Sequence, residues 1–143
     1  MADELAFVLI NPYTIAKSRT GGVIARYIGR TDLSFVAARM FCPSRELAEK
    51  YAGQVRNSDP THVEMNKLIA DYILQNYAPC EETHKPRRVM MLLFEGEDAV
   101  RKIWEATGSA SLRPGSGQNI RDTYGDYVTD SSGKVIYFEP AVL

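Results

Sequence analysis

The sequence predicts an α+β sandwich, with a four-stranded antiparallel sheet and helices packed on it. Three observations predict it. Short apolar runs of strand length recur at four places along the chain. Amphipathic stretches at helical spacing lie between them. The composition, 45% hydrophobic and 24% charged over 143 residues, is that of one soluble domain large enough to bury a core.

"LAFVLI" (5–10) is almost wholly apolar, as a central strand is. It breaks at Asn11-Pro12, which leaves Asn11 at the C-terminal tip of a buried strand, a good place to meet a ligand. "YTIAKSRT" (13–20) reads as a polar loop. "GGVIARYIGR" (21–30) reads as a helix, capped by Thr20, with Val23, Ile24, Tyr27 and Ile28 on one face. "LSFVAARMF" (33–41) is a second strand. "SRELAEKYAGQV" (44–55) is a helix with Ser44 as cap and Leu47, Tyr51 and Val55 inward. Residues 59–77 give the strongest helix signal: Asp59 as N-cap, Pro60 in the first position, and a stripe of Met65, Leu68, Ile69, Tyr72 and Ile73.

After a connector at 79–87, "RVMMLLFEG" (88–96) is the third strand. "EDAVRKIWEATG" (97–108) is a helix with Val100, Ile103, Trp104 and Thr107 on one side and Gly108 as its stop. Residues 109–132 are rich in Gly, Ser, Asp and Pro without periodicity. A loop of that length inside a compact domain is usually functional or mobile. "KVIYF" (134–138) is the last strand. With one helix set aside, the order is β-α-β-α-β-α-loop-β, that of a ferredoxin-like sandwich.

Seventeen basic residues nearly balance eighteen acidic ones, so no global field argues for nucleic acid, a membrane surface or a polyanionic partner. No apolar run approaches the ~18 residues of a membrane span, and the acidic "MADELAFVL" start is not a signal peptide. Cys42 and Cys80 lie far apart without metal-ligand spacing, and read as two reduced thiols in a cytoplasmic protein. No metal site is expected.

Several strings, in order along nearly the whole chain, resemble the nucleoside diphosphate kinase family. "INPYT" followed by "GGVIARY" resembles the family's I-K-P-D-G and the helix after it. "FVAARM" and "SRELAEKYA" resemble its second strand and following helix. "FEGEDAVRK" resembles W-E-G-E-N-A-V, and "SGQNIRDTYGD" resembles A-P-G-T-I-R-G-D-F-G. The segment around 57–87 is longer than in the usual member. The resemblance implies a ferredoxin-like fold and Mg²⁺-nucleotide (ATP or ADP) as ligand. It also implies phosphoryl transfer through a phosphohistidine, helped mainly by positioning and charge neutralisation.

Carried over residue by residue, the family's catalytic inventory is depleted here. Its lysine in I-K-P-D falls on Asn11, which can donate hydrogen bonds to a phosphate but brings no charge. Its aspartate falls on Tyr13, and a helical arginine on Trp104. The arginine of G-T-I-R is kept as Arg121, and a tyrosine near the phosphates falls on Tyr51. The motif N-x-x-H-G-S-D places Lys134 at the asparagine and Tyr137 at the histidine, with Glu139 and Pro140 at the serine and aspartate. The two histidines, His62 and His84, lie elsewhere. A phosphate ester on tyrosine lacks the group-transfer energy of the P–N bond, so Tyr137 reads as a packed strand aromatic. Trp104 reads as core, and Tyr51 equally as core or phosphate contact.

The candidate nucleotide contacts are therefore Arg121, Tyr51 and Asn11, with no catalytic residue. Lys17, Arg19 and Arg113 are further cations in loops, where single charges are usually solvated. The expected function is a family member that is non-catalytic alone, a structural or oligomerising module with at most weak nucleotide binding. Its partners would be copies of itself or a following catalytic domain. Two alternatives stay open: part of a working kinase, moving phosphoryl from a nucleoside triphosphate to a diphosphate with a histidine borrowed from another domain or subunit, or a regulatory domain binding another small anion. The "FEPAVL" tail either packs on the sheet edge or leads into the rest of a longer tandem protein.

Overall fold

A computed structural model describes residues 3–108, 119–129, 131–132 and 135–143, with backbone alone at 122, 127–129 and 135–137. The chain divides into two compact units, Met1–Arg39 with Met90–Leu143, and Met40–Val89.

The first unit is built on a sheet. Strand β1 (Asp3–Ile10) runs into a short helix α1 (Pro12–Ala16), then α2 (Thr20–Arg30) and β2 (Ser34–Phe41), whose last two residues cross into the second unit. Strand β3 (Val89–Glu97) pairs antiparallel with β1 from Asp3↔Glu97 to Ile10↔Met90. It is the middle strand of the order β1-β3-β2. Alternation does the rest. Ala6 and Val8 lie opposite Phe94 and Leu92 in the register, and these residues, with Ile10, form one core with Val23 and Tyr27 of α2 and with Ala99 and Ile103 of α5 (Ala99–Thr107). Each large side chain taken fully out of water there contributes about 1.5–3 kcal/mol. This is the expected class, an antiparallel sheet with helices packed on it.

The last strand differs from expectation. β5 (Val135–Glu139) pairs antiparallel with β4 (Asp126–Thr129) in a two-stranded ribbon, separate from the three-stranded sheet. The residues after β5 return to β1. Ile10 and Val142 form an isolated bridge, and Leu9 and Leu143 exchange backbone hydrogen bonds of 2.9 and 2.8 Å. Residues 141–143 thus pair along the edge of β1. The stretch read as structureless, 109–132, contains α6 (Ile120–Tyr124) and β4 among its described residues. They are joined at Gly125, where a Cβ would sit 2.5 Å from the Arg121 carbonyl oxygen and 2.8 Å from that of Glu139. A polar strand of four residues gives no periodic signal.

Other corrections are local. The segment 13–20 is not all loop: Pro12 starts α1 directly after an extended Asn11. Thr20 lies within α2, and Arg19 takes the cap position without a side-chain capping bond. Trp104 is 64% exposed and Val100 54%. The buried row of α5 is Ala99, Ile103 and Thr107, and Trp104 stands one row over.

The second unit pairs α3 (Arg45–Arg56) with α4 (Val63–Asn76). Ser44 caps α3, its hydroxyl accepting from Leu47 N at 3.1 Å. The buried face of α3 is Ala48 and Ala52, while Leu47 is exposed. Asp59 does not cap a helix. Its carboxylate accepts from Thr61 N at 2.8 Å and meets His62 Nδ1 at 2.7 Å, holding a turn that delays α4 to Val63. Tyr72, Ile73, Tyr77 and Ala78 complete that unit's core.

Candidate functional site

The tip of β1 carries a buried polar knot. Asn11 is fully buried and Glu139 nearly so. The Asn11 side-chain amide donates to Glu139 Oε1 at 3.0 Å, and Ala141 N donates to the same oxygen at 3.0 Å. Asn11 N donates to the Ala141 carbonyl at 3.1 Å, and the buried Thr14 hydroxyl donates to that carbonyl at 2.8 Å. The turn after β5 is therefore fastened to the strand tip through side chain and backbone together. Burial without these bonds would cost about 1–3 kcal/mol per polar group.

Arg121 on α6 reaches the same tail. Nη1 donates to the Gly108 carbonyl at 3.0 Å, at the C-terminal end of α5, and Nη2 donates to the Val142 carbonyl at 3.2 Å. Gly108 has φ +84, and a Cβ there would run into the Asn119 side chain, so this stop accepts glycine only. Nearby, Tyr27 and Thr107 share a 2.5 Å hydroxyl contact, and Thr107 donates to the Ile103 carbonyl at 2.7 Å. Burial pushes the Tyr27 phenol up to about 12, against the lowering pull of Thr107 and of the Arg121 charge.

A second polar cluster ties β4 to the α1–α2 corner. Tyr13 donates to Asp126 Oδ2 at 2.7 Å, and Arg19 donates to that oxygen at 2.9 Å and to the Tyr124 carbonyl at 3.0 Å. Lys17 Nζ and the Arg19 guanidinium each lie 5.6 Å from the Tyr13 ring centre. The Tyr13 hydrogen bond, followed by Arg19 and Lys17, holds the Asp126 carboxyl below its ordinary range. Arg19 is thus engaged in an ion pair rather than simply solvated.

The structure brings two of the sequence candidates, Asn11 and Arg121, onto one segment, residues 139–143. Tyr51 belongs to the second unit, half-buried, with its ring 6.4 Å from that of Tyr77. Both histidines also belong to the second unit. Tyr137 stands opposite Val128 in the β4–β5 register; its side chain, like Arg113 and Lys134, lies outside the described residues. Sequence reasoning placed Glu139 but gave it no role, and overlooked Thr14 and Ala141. Only the buried, uncharged tip at Asn11 hinted at a polar partner. Among the described residues no group of three His, Cys, Asp or Glu could hold a metal ion.

No family model matches the chain. Individual relatives do. The chain is 31% identical over 137 residues to a nucleoside diphosphate kinase of Symbiobacterium thermophilum, covering 94% of this chain and 76% of that protein. It is 30% identical over 128 residues to the enzyme of Halorhodospira halophila, covering 90% and 79%. Among solved structures, the nucleoside-diphosphate kinase of Borrelia burgdorferi, a transition state mimic with bound vanadate and ADP, superposes with a TM-score of 0.70 at 16% identity over 99% of this chain and 77% of that one. The enzyme of Pyrobaculum aerophilum gives 0.69 at 18% over 99% and 87%. The fold is that of these solved kinases, and the chain belongs to the nucleoside diphosphate kinase family.

Proposed function

We propose that this domain does not transfer phosphoryl groups by itself and serves as a structural, self-associating member of the family with at most weak nucleotide binding. The observation that carries this reading is the Asn11–Glu139 pair. At the positions where the resemblance puts a lysine and a serine, this chain has a neutral amide bonded to a carboxyl group, both buried. Such a pair supplies no positive charge to a phosphate, and a carboxyl at the tip opposes an anion. Tyr137 at the histidine position adds to it, since a phenolic phosphate is a poor donor to a diphosphate. Mg²⁺ would enter with a nucleotide, and the depleted set of cations fits that ligand poorly.

Self-association finds support in β2. It is an outer strand of its sheet among the described residues, and Phe35 and Val36 on it are exposed. An apolar strand edge without proline suits pairing with a second copy about a two-fold axis. No helix among the described residues is long and apolar enough to cross a membrane. Cys42 and Cys80 are both free, which fits a reducing compartment such as the cytoplasm.

The test is a phosphotransfer assay with radiolabelled ATP and a diphosphate acceptor, beside sedimentation of the intact chain. No acid-labile, alkali-stable protein label is expected. Stoichiometric label lost on His62→Ala or His84→Ala would sink the inactive reading and favour a working kinase.

A further inference from the structure

We draw no further inference here: the strongest candidate, the cavity of the second unit between α3, α4 and the connector at 79–87, lined by Arg45, Cys80 and Arg87 among others, rests on a lone cysteine, and nothing in the structure shows what would bind beside it.

Discussion

The side-chain amide of Asn11 donates to Glu139 Oε1 at 3.0 Å across 128 positions of sequence, joining the tip of the first strand to the end of the last. The bond is enclosed, so its partners have no water to fall back on. Asn11→Ala is expected to destabilise the chain by about 1–3 kcal/mol, because it leaves a buried carboxyl oxygen short of a donor. Glu139→Gln keeps an acceptor oxygen in place and should cost less than Asn11→Ala. Urea unfolding of the two variants measures this. A loss for Asn11→Ala within the ~0.5 kcal/mol of an ordinary surface change would show that the pair is not a fastening.

Tyr27 predicts a pH dependence at the alkaline end. Its phenol is raised from 10.0 to about 12, chiefly by burial. The neutral form is the one the fold favours, so this stabilisation is fully present below the unfolded value near 10. It is lost as pH rises from there toward 12, an effect on the order of 2–3 kcal/mol. Ultraviolet titration should show a tyrosine step that comes late or only with unfolding. Tyr27→Phe should take one tyrosine out of that late step. A late step of unchanged amplitude in Tyr27→Phe would assign it elsewhere.

Cys80 should be the faster thiol. The Thr83 hydroxyl, the backbone amides of Thr83 and Glu82 and the charge of Arg87 bring its thiol down from 9.0 to about 7. Near neutral pH a large share is therefore thiolate, the reactive form. Iodoacetamide at pH 7 followed by peptide mapping should label Cys80 ahead of the exposed Cys42, and Thr83→Ala should narrow the difference. Equal rates at pH 7 would contradict the hydrogen-bonded turn.

The strands at 5–10, 33–41 and 88–96 are legible in sequence because apolar residues alternate or run unbroken there. β4 and α6 are not, because "DYVT" and "IRDTY" are short and polar and gain their order from pairing with β5 and from Gly125. Trp104 shows the limit of a helical stripe. Two adjacent rows of α5 are apolar, and the sequence does not say which row the sheet takes. Asn11 is legible as a polar residue at a strand tip, since the apolar run ends on it just before Pro12. Its partner is not, because nothing in the sequence marks Glu139 as the acceptor for an amide so distant. Arg121 stands out by motif, yet its bonds to two backbone carbonyls depend on where the tail returns. Division into two units is likewise a property of contacts that no composition shift announces.

Nucleotide binding is expected to be weak. The lysine and helical arginine of the resembling family are here Asn11 and Trp104, and Trp104 is exposed on α5. Each lost charge-assisted contact is worth about 1.5–3 kcal/mol, so two losses weaken binding by roughly two to four powers of ten. A micromolar site becomes a millimolar one. A ligand stabilises a protein only when its concentration exceeds its dissociation constant, so millimolar ATP or ADP with Mg²⁺ should shift the melting temperature little. Any shift that is seen should vanish in Arg121→Ala, whose own stability must be matched because it loses the bonds to Gly108 and Val142. The shift should grow in Asn11→Lys, which restores a positive charge beside Glu139. Micromolar ADP binding by calorimetry, indifferent to Arg121→Ala, would mean that the domain has built its nucleotide site elsewhere and that Asn11 is not the remnant of a phosphate contact.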